Sequence, residues 1–340
     1  MRFFLTFAEF FFKKNEKKCI AHGMVFNASE LPLLSVDGVY FGQASCRMRG
    51  CMLFLLDLML IAGGMYAQNP TLEWPVEKNK KYQISSTFGE SRLDHFHNGI
   101  DLPGEGFTVL SPRDGRLLYR INAEAIPGEM PFGGGNTIVL DHGDIWTGYM
   151  HLKSVPENIR TDAPIARAEK IAISGNTGHS GGPHLHFFVY QPAERAMLNP
   201  LLLMGDTYYR DTKPPLAKEW GILLTDKFVT INPAKPFRMT ADYPVYLLLQ
   251  DQGIARERWG VYAYRVLLDD KEAINVRFDK IVHVDGIWRL TGGYCFEDIF
   301  YRNFYSLTPQ VRRSKRVSVE AKDLKGNTFA QTYGLQIQQN

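Results

Sequence analysis

Residues 68–205 are cut into short runs rich in β-branched and aromatic side chains, separated by Gly, Pro, Asn and Asp. The runs fall at 82–87, 115–121, 136–141, 145–151, 171–174 and 184–190. No competing stretch repeats its apolar residues with a helical period. Strands this short must close their hydrogen bonds on one another, so the expected fold is mainly β, built on an antiparallel sheet. Residues 216–340 form a second β-rich block. In it, 259–268 and 273–278 flank Asp269-Asp270-Lys271-Glu272 as a hairpin, and 316–324 and 328–337 flank Lys325-Gly326-Asn327. This block is expected to be an immunoglobulin-like β-sandwich. Charged residues ending in Pro214-Pro215 read as a linker over 208–215, between a first domain at 68–207 and a second at 216–340.

The chain has 340 residues, of which 45% are hydrophobic and 22% charged, which fits a globular core and excludes wholesale disorder. A net charge of +3 is too mild for a nucleic-acid partner. Gly133-Gly134-Gly135 has no Gly-Lys-Ser/Thr after it, so it reads as a tight turn and no nucleotide is expected. Three of the four cysteines, Cys19, Cys46 and Cys51, lie near the start. Cys295 stands alone in the rest, which leaves neither a disulfide framework nor a CxxC metal site there.

Arg47 and Arg49 precede an apolar run at 52–62, followed by small residues and Ala67-Gln68. That is the layout of a secretory signal peptide, placed at 48–67, and the run is short for a membrane span. The expectation is export to the periplasm or cell envelope. Met48 or Met52 is the expected start, and residues 1–47 are an N-terminal extension.

Most histidines lie between 95 and 186. In His184-Leu185-His186, alternate side chains share one strand face, so both imidazoles point the same way. In His97-Asn98-Gly99-Ile100-Asp101, Gly99 and Ile100 disfavour a helix, which puts His97 and Asp101 on an extended turn. His151 follows Tyr149-Met150 at a strand end. Two histidines and a carboxylate are a common catalytic zinc set, with the fourth position left for water. Further histidines beside it act as bases or steady an oxyanion. Spacing alone does not say which histidine binds metal and which does chemistry. His95 and His179 read as exposed loop residues and His142 as a turn residue. His22 and His283 have no ligand partners in sequence. Arg312-Arg313-Ser314-Lys315-Arg316 reads as a solvated loop, and Trp259, Trp288 and the aromatics of 294–305 as sandwich core.

His97-x3-Asp101, Tyr149-x-His151-Leu152 and the run from Gly175 through Gly182-Pro183-His184-Leu185-His186 resemble the motifs of the lysostaphin-type (LytM-like) zinc endopeptidases. The resemblance covers about residues 76–205 and includes Phe88-Gly89, Ser111-Pro112 and Asp141-His142-Gly143. It implies one Zn2+ per chain held by His97, Asp101 and His186, with His151 and His184 as catalytic histidines. It also implies hydrolysis of peptide bonds in bacterial peptidoglycan. Tyr66-Ala67-Gln68-Asn69-Pro70 resembles signal ends of the Bacteroidetes group, for which the bond is a D-Ala–diaminopimelate crosslink rather than a glycine bridge. Departures from the family pattern are Gly181-Gly182 before Pro183, Phe188 where a Glu often follows the histidine pair, and an insertion-like segment at 123–132. The second block resembles, more loosely, the immunoglobulin-like region that follows this domain in exported relatives, and an envelope protein is its expected partner. Two other function classes compete: a non-catalytic regulator of other wall hydrolases, and a wall-binding protein with a structural zinc. The first requires lost ligands and the second a fourth protein ligand, and neither pattern is seen.

Overall fold

Every apolar second residue of His184–Gln191 points one way. Leu185, Phe187 and Val189 are sealed into a core, while His184, His186 and Phe188 take the opposite face. This strand is the axis of the first block in a computed structural model that describes residues 72–77, 83–123, 133–157, 159–225, 227–253 and 257–338. The expected extension 1–47, the signal peptide 48–67 and residues 124–132 of the insertion-like segment lie outside the described residues.

The first block contains β1 (Ile100–Pro103), β2 (Thr108–Leu110), β3 (Gly115–Ile121), β4 (Asn136–Asp141), β5 (Trp146–Ser154), β6 (Pro164–Ile165), β7 (Lys170–Ser174), β8 (His184–Gln191) and β9 (Ala196–Leu198). The order β9-β8-β5-β4-β3-β6 runs across one antiparallel sheet, with β1 on β8 and β7 on β5 and β2. The fold is mainly β, as the runs at 115–121, 136–141 and 184–190 require. The run at 82–87 differs: its described part makes only an isolated bridge, Ser86 to Asp101. The reason is local. The Glu90 carboxylate accepts from both the Thr87 N–H (2.6 Å) and the Thr87 hydroxyl (2.7 Å), turning the chain before a ladder can form.

In the second block, two antiparallel sheets face each other across one apolar core. Trp220, Leu247 and Leu249 from one sheet meet Val266, Val276, Val317 and Val319 from the other. Asp269 and Asp270 both take positive φ, 47° and 68°, as the tight hairpin turn demands.

The two blocks share structure. The hairpin of Lys280–Val284 and Ile287–Leu290 adds to the first sheet beside β9, pairing Ile281 with Met197. Phe88, Phe96 and Phe188 of the first block join the core of the second. Trp259 crosses the other way, buried in the first block's core with its indole N–H donating to the Ile84 carbonyl (3.1 Å). The stretch at 208–215, which its charges and prolines suggest as a linker, is anchored by buried Tyr208, Tyr209 and Asp211.

Candidate active site

The register of β1 on β8 sets Asp101 opposite His186, because Ile100 and Leu102 both turn into the core and leave Asp101 on the other face. His97 lies in the loop before β1. Its N–H donates to the Glu90 carbonyl (2.7 Å) and its carbonyl accepts from the Gly89 N–H (2.8 Å), so the loop closes as a small hairpin. The His97 Nδ1–H donates to the Thr87 carbonyl (2.7 Å), which turns Nε2 inward with its lone pair free.

Three atoms then converge. His97 Nε2 is 3.1 Å from Asp101 Oδ1 and 3.0 Å from His186 Nδ1, and His186 Nδ1 is 3.0 Å from Asp101 Oδ1. All three side chains are buried. This donor set fits a single metal ion: ligand atoms of a tetrahedral zinc with bonds of ~2.0–2.1 Å lie ~3.3 Å apart. Burial pushes the Asp101 carboxyl up, but His97 and His186 beside it outweigh that and hold it well below the usual carboxylate range. Burial likewise pushes His186 down to about 4, against the pull of Asp101, so the imidazole is neutral at pH 7 and able to ligate.

The second pair of histidines borders this triad. On β5, the step of three from Tyr149 to Leu152 lies opposite a step of two from Asn136 to Ile138 on β4. At this bulge His151 adopts φ 60°, a left-handed conformation uncommon for a residue with a Cβ, and it turns its ring towards the site. Its Nδ1–H donates to the Thr177 carbonyl (2.8 Å). The His184 Nδ1–H donates to the Gly182 carbonyl (2.7 Å), and its Nε2 lies 3.7 Å from Asp101 Oδ1. The two rings are 4.6 Å apart. In each neutral ring the bond at Nδ1 fixes the tautomer and makes Nε2 the acceptor. Burial lowers the His151 pKa, against the Thr177 bond, and keeps that base neutral.

The structure thus brings together His97, Asp101, His151, His184 and His186, all five residues singled out from the sequence. His95 and His179 are exposed. His142 is buried under a turn, with Nδ1–H donating to the Asp114 carbonyl (2.9 Å). His283 accepts from Arg195 (2.7 Å) on the second-block hairpin. The triple glycine is the expected turn, and it lets two loops touch: a Cβ on Gly178 would lie 2.3 Å from the Gly135 nitrogen. That contact seats Thr177, whose carbonyl holds His151. Phe188 packs on Gly148, where a Cβ would come within 2.0 Å of its ring, and enters the second block's core.

Sequence reasoning missed two contributors. Arg92 Nη2 donates to Asp101 Oδ2 at 2.5 Å, on the oxygen turned away from the histidines. Thr87 supplies the carbonyl that orients His97. Neither carries a local signal, since both depend on the loop folding back on itself.

The model of "Peptidase family M23" matches residues 95–200, and a second family model matches residues 222–338. An uncharacterized metalloprotease of Buchnera aphidicola is 36% identical over 129 residues, covering 36% of this chain and 31% of its own. Peptidoglycan DD-endopeptidase ShyA of Vibrio cholerae is 33% identical over 122 residues, covering 34% and 26%. Among solved structures, a zinc-containing peptidase from Vibrio cholerae is 31% identical, with a TM-score of 0.30, over 36% of this chain and 37% of that one. The chain spans less than a third of the length of either curated relative. The matched segment holds His97, Asp101, His151, His184 and His186, and residues 95–200 are a domain of peptidase family M23.

Proposed function

We propose that this chain is an exported zinc metalloendopeptidase that hydrolyses peptide crosslinks of bacterial peptidoglycan. The single observation that carries the reading is the convergence of His97 Nε2, Asp101 Oδ1 and His186 Nδ1 within 3.1 Å of one another, beside two imidazoles whose Nδ1–H groups are already tied to carbonyls. His97, Asp101 and His186 would hold the ion. When bound, zinc lowers the pKa of water to about 7 and polarises a carbonyl.

The chain's own residues do the rest. His151 and His184 offer Nε2 as proton acceptors for the attacking water. Once protonated, the same nitrogens donate to the developing oxyanion and return the proton to the leaving amine. The Thr177 and Gly182 carbonyls fix both tautomers and hold the rings in place during that exchange. The name of the DD-endopeptidase relative supports a D-Ala–diaminopimelate crosslink as the bond cut.

The test is digestion of purified sacculi by the zinc-loaded protein, with muropeptides read by mass spectrometry. Crosslinked dimers should fall to monomers, a chelator should stop this, and zinc should restore it. His184→Ala and His151→Ala should each cut the rate by about 10²–10⁴-fold while retaining zinc. Unchanged crosslinking with the metal in place would overturn the reading.

A further inference from the structure

Three carboxylates outside the M23 domain share one buried spot. Asp211 comes from the stretch between the blocks, Asp251 from the strand Val245–Gln252, and Asp323 from the turn after Arg316–Lys322. One oxygen from each lies within 4.8 Å of the others. Asp211 is 8% exposed, and Asp251 and Asp323 are fully sealed.

Most of their oxygens meet neutral donors. Asp323 accepts from the Asn327 N–H (2.9 Å) and Nδ2 (2.7 Å), Asp251 from the Gln252 N–H (2.9 Å) and the Tyr209 hydroxyl (3.3 Å), and Asp211 Oδ1 from the Lys213 N–H (3.0 Å). Asp211 Oδ2 is different: it is closed off from solvent and has no donor. Among the described residues, none of the three carboxylates pairs with a lysine, arginine or histidine. Burial and the neighbouring Asp211 and Asp323 push the Asp251 carboxyl up to about 8, and burial pushes Asp323 up as well, so the three carboxylates cannot all stay ionised on neutral donors alone. A proton can link two of them, whereas one divalent cation links all three and gives Asp211 Oδ2 its partner.

We propose that Asp211, Asp251 and Asp323 form a second metal site, which takes a hard, oxygen-liganded cation of the calcium type and pins the stretch between the blocks to the C-terminal block. An all-carboxylate set selects calcium, magnesium or manganese over zinc, which is drawn to nitrogen and sulfur. Calcium tolerates the irregular geometry that three separate segments impose, whereas magnesium demands a near-ideal octahedron. A cleft of about 220 Å³ is lined by Tyr209, which donates to Asp251, and by Leu324, next to Asp323 in the chain.

The test uses the full chain, stripped of metal and then reloaded with one equivalent of zinc. Equilibrium dialysis against calcium, with elemental analysis, should give one bound calcium per chain with the zinc retained. Terbium, a calcium surrogate, should light up on excitation of the Tyr209–Trp259 pair, whose rings are 4.8 Å apart, and calcium should quench that emission by displacement. Asp251→Asn and Asp323→Asn should each weaken calcium retention at least ~10-fold, because affinity follows ligand charge. The proposal is overturned if the wild-type chain retains none of calcium, magnesium and manganese. It is also overturned if calcium enters only by displacing zinc, or if both variants bind it undiminished. The wild-type measurements decide the matter even if a variant does not fold.

Discussion

The Phe96 ring meets the Phe296 ring edge-on, with centroids 5.3 Å apart at 75°, and so plants the residue before the candidate ligand His97 in the core of the second block. Phe278 and Phe300 complete that aromatic nest. The Gly260 N–H adds a polar tie, donating (3.1 Å) to the same Glu90 carboxylate that holds Thr87, whose carbonyl orients His97. The C-terminal block therefore holds His97, one of the three converging side chains, in position. Phe296→Ala should destabilise the chain by ~3–5 kcal/mol and leave a cavity beside Phe96. Zinc retention against a competing chelator should fall at least ~10-fold, since misplaced support costs about that much in metal sites. A folded Phe296→Ala chain that keeps zinc as tightly as wild type refutes the coupling.

Arg92 acts on the same centre through Asp101. Its guanidinium holds Oδ2 and so commits Oδ1 to the histidines, favouring ligation through one oxygen. Arg92→Gln should lower zinc affinity or hydrolysis by ~10–100-fold. Arg92→Lys should recover part of the loss, because an ammonium keeps the charge but not the planar fork. Zinc competition titrations on the two variants check the ranking. Equal affinity in all three chains would assign Arg92 to the surface alone.

Gly99 packs tightly against His186. A Cβ there would lie 2.3 Å from the Phe187 carbonyl oxygen and 2.9 Å from both Cε1 and Nε2 of His186. The carbonyl belongs to the β1–β8 ladder and cannot swing aside, so the strain falls on His186. Gly99→Ala should cost ~1–3 kcal/mol of stability as an overpacking change and should also loosen the metal. Thermal unfolding with and without zinc separates the two effects. The stabilisation that zinc gives the wild-type chain should be much smaller in the variant.

The HLH alternation made the shared face of His184 and His186 legible, because a period of two leaves no choice once Leu185 is buried. Strands at 115–121 and 136–141 were legible from their β-branched and aromatic content between turn residues. Three features were not. The left-handed turn at His151 comes from an extra residue in β5, which only pairing with β4 reveals. Arg92 reaches Asp101 because Glu90 and His97 close a loop between them. The union of the two blocks rests on Phe96, Phe188 and Trp259, of which only Trp259 carries a reading as core, and that of the second block alone. Long-range packing of this kind leaves no periodic trace in the sequence.

A last prediction concerns pH and lies away from the metal. The His142 Nδ1–H donates to the Asp114 carbonyl (2.9 Å), so its Nε2 accepts from the Thr147 hydroxyl (2.8 Å), which in turn accepts from the Tyr149 hydroxyl (2.8 Å). Protonating Nε2 would break this buried chain. Burial is the main force lowering the His142 pKa, and it outweighs the Asp114 bond. The unfolded chain therefore binds a proton at pH values where the folded chain does not, so stability rises with pH through that window. The contribution is complete above the unfolded value of ~6.5 and drains away as pH falls through the lowered folded value. Burial acts against the Asp141 carboxyl too, but the Gly143 N–H and Arg116 hold it below the usual carboxylate range, so its loss comes at lower pH. His142→Asn should cost ~1–3 kcal/mol near pH 7, through the unsatisfied Thr147–Tyr149 pair. Its stability should also be flatter than wild type between pH 6.5 and 5, a range set by the ordinary histidine value of ~6.5. Urea unfolding across that range, on zinc-loaded protein, measures the difference, and parallel curves for the two chains would exclude His142 as the titrating group.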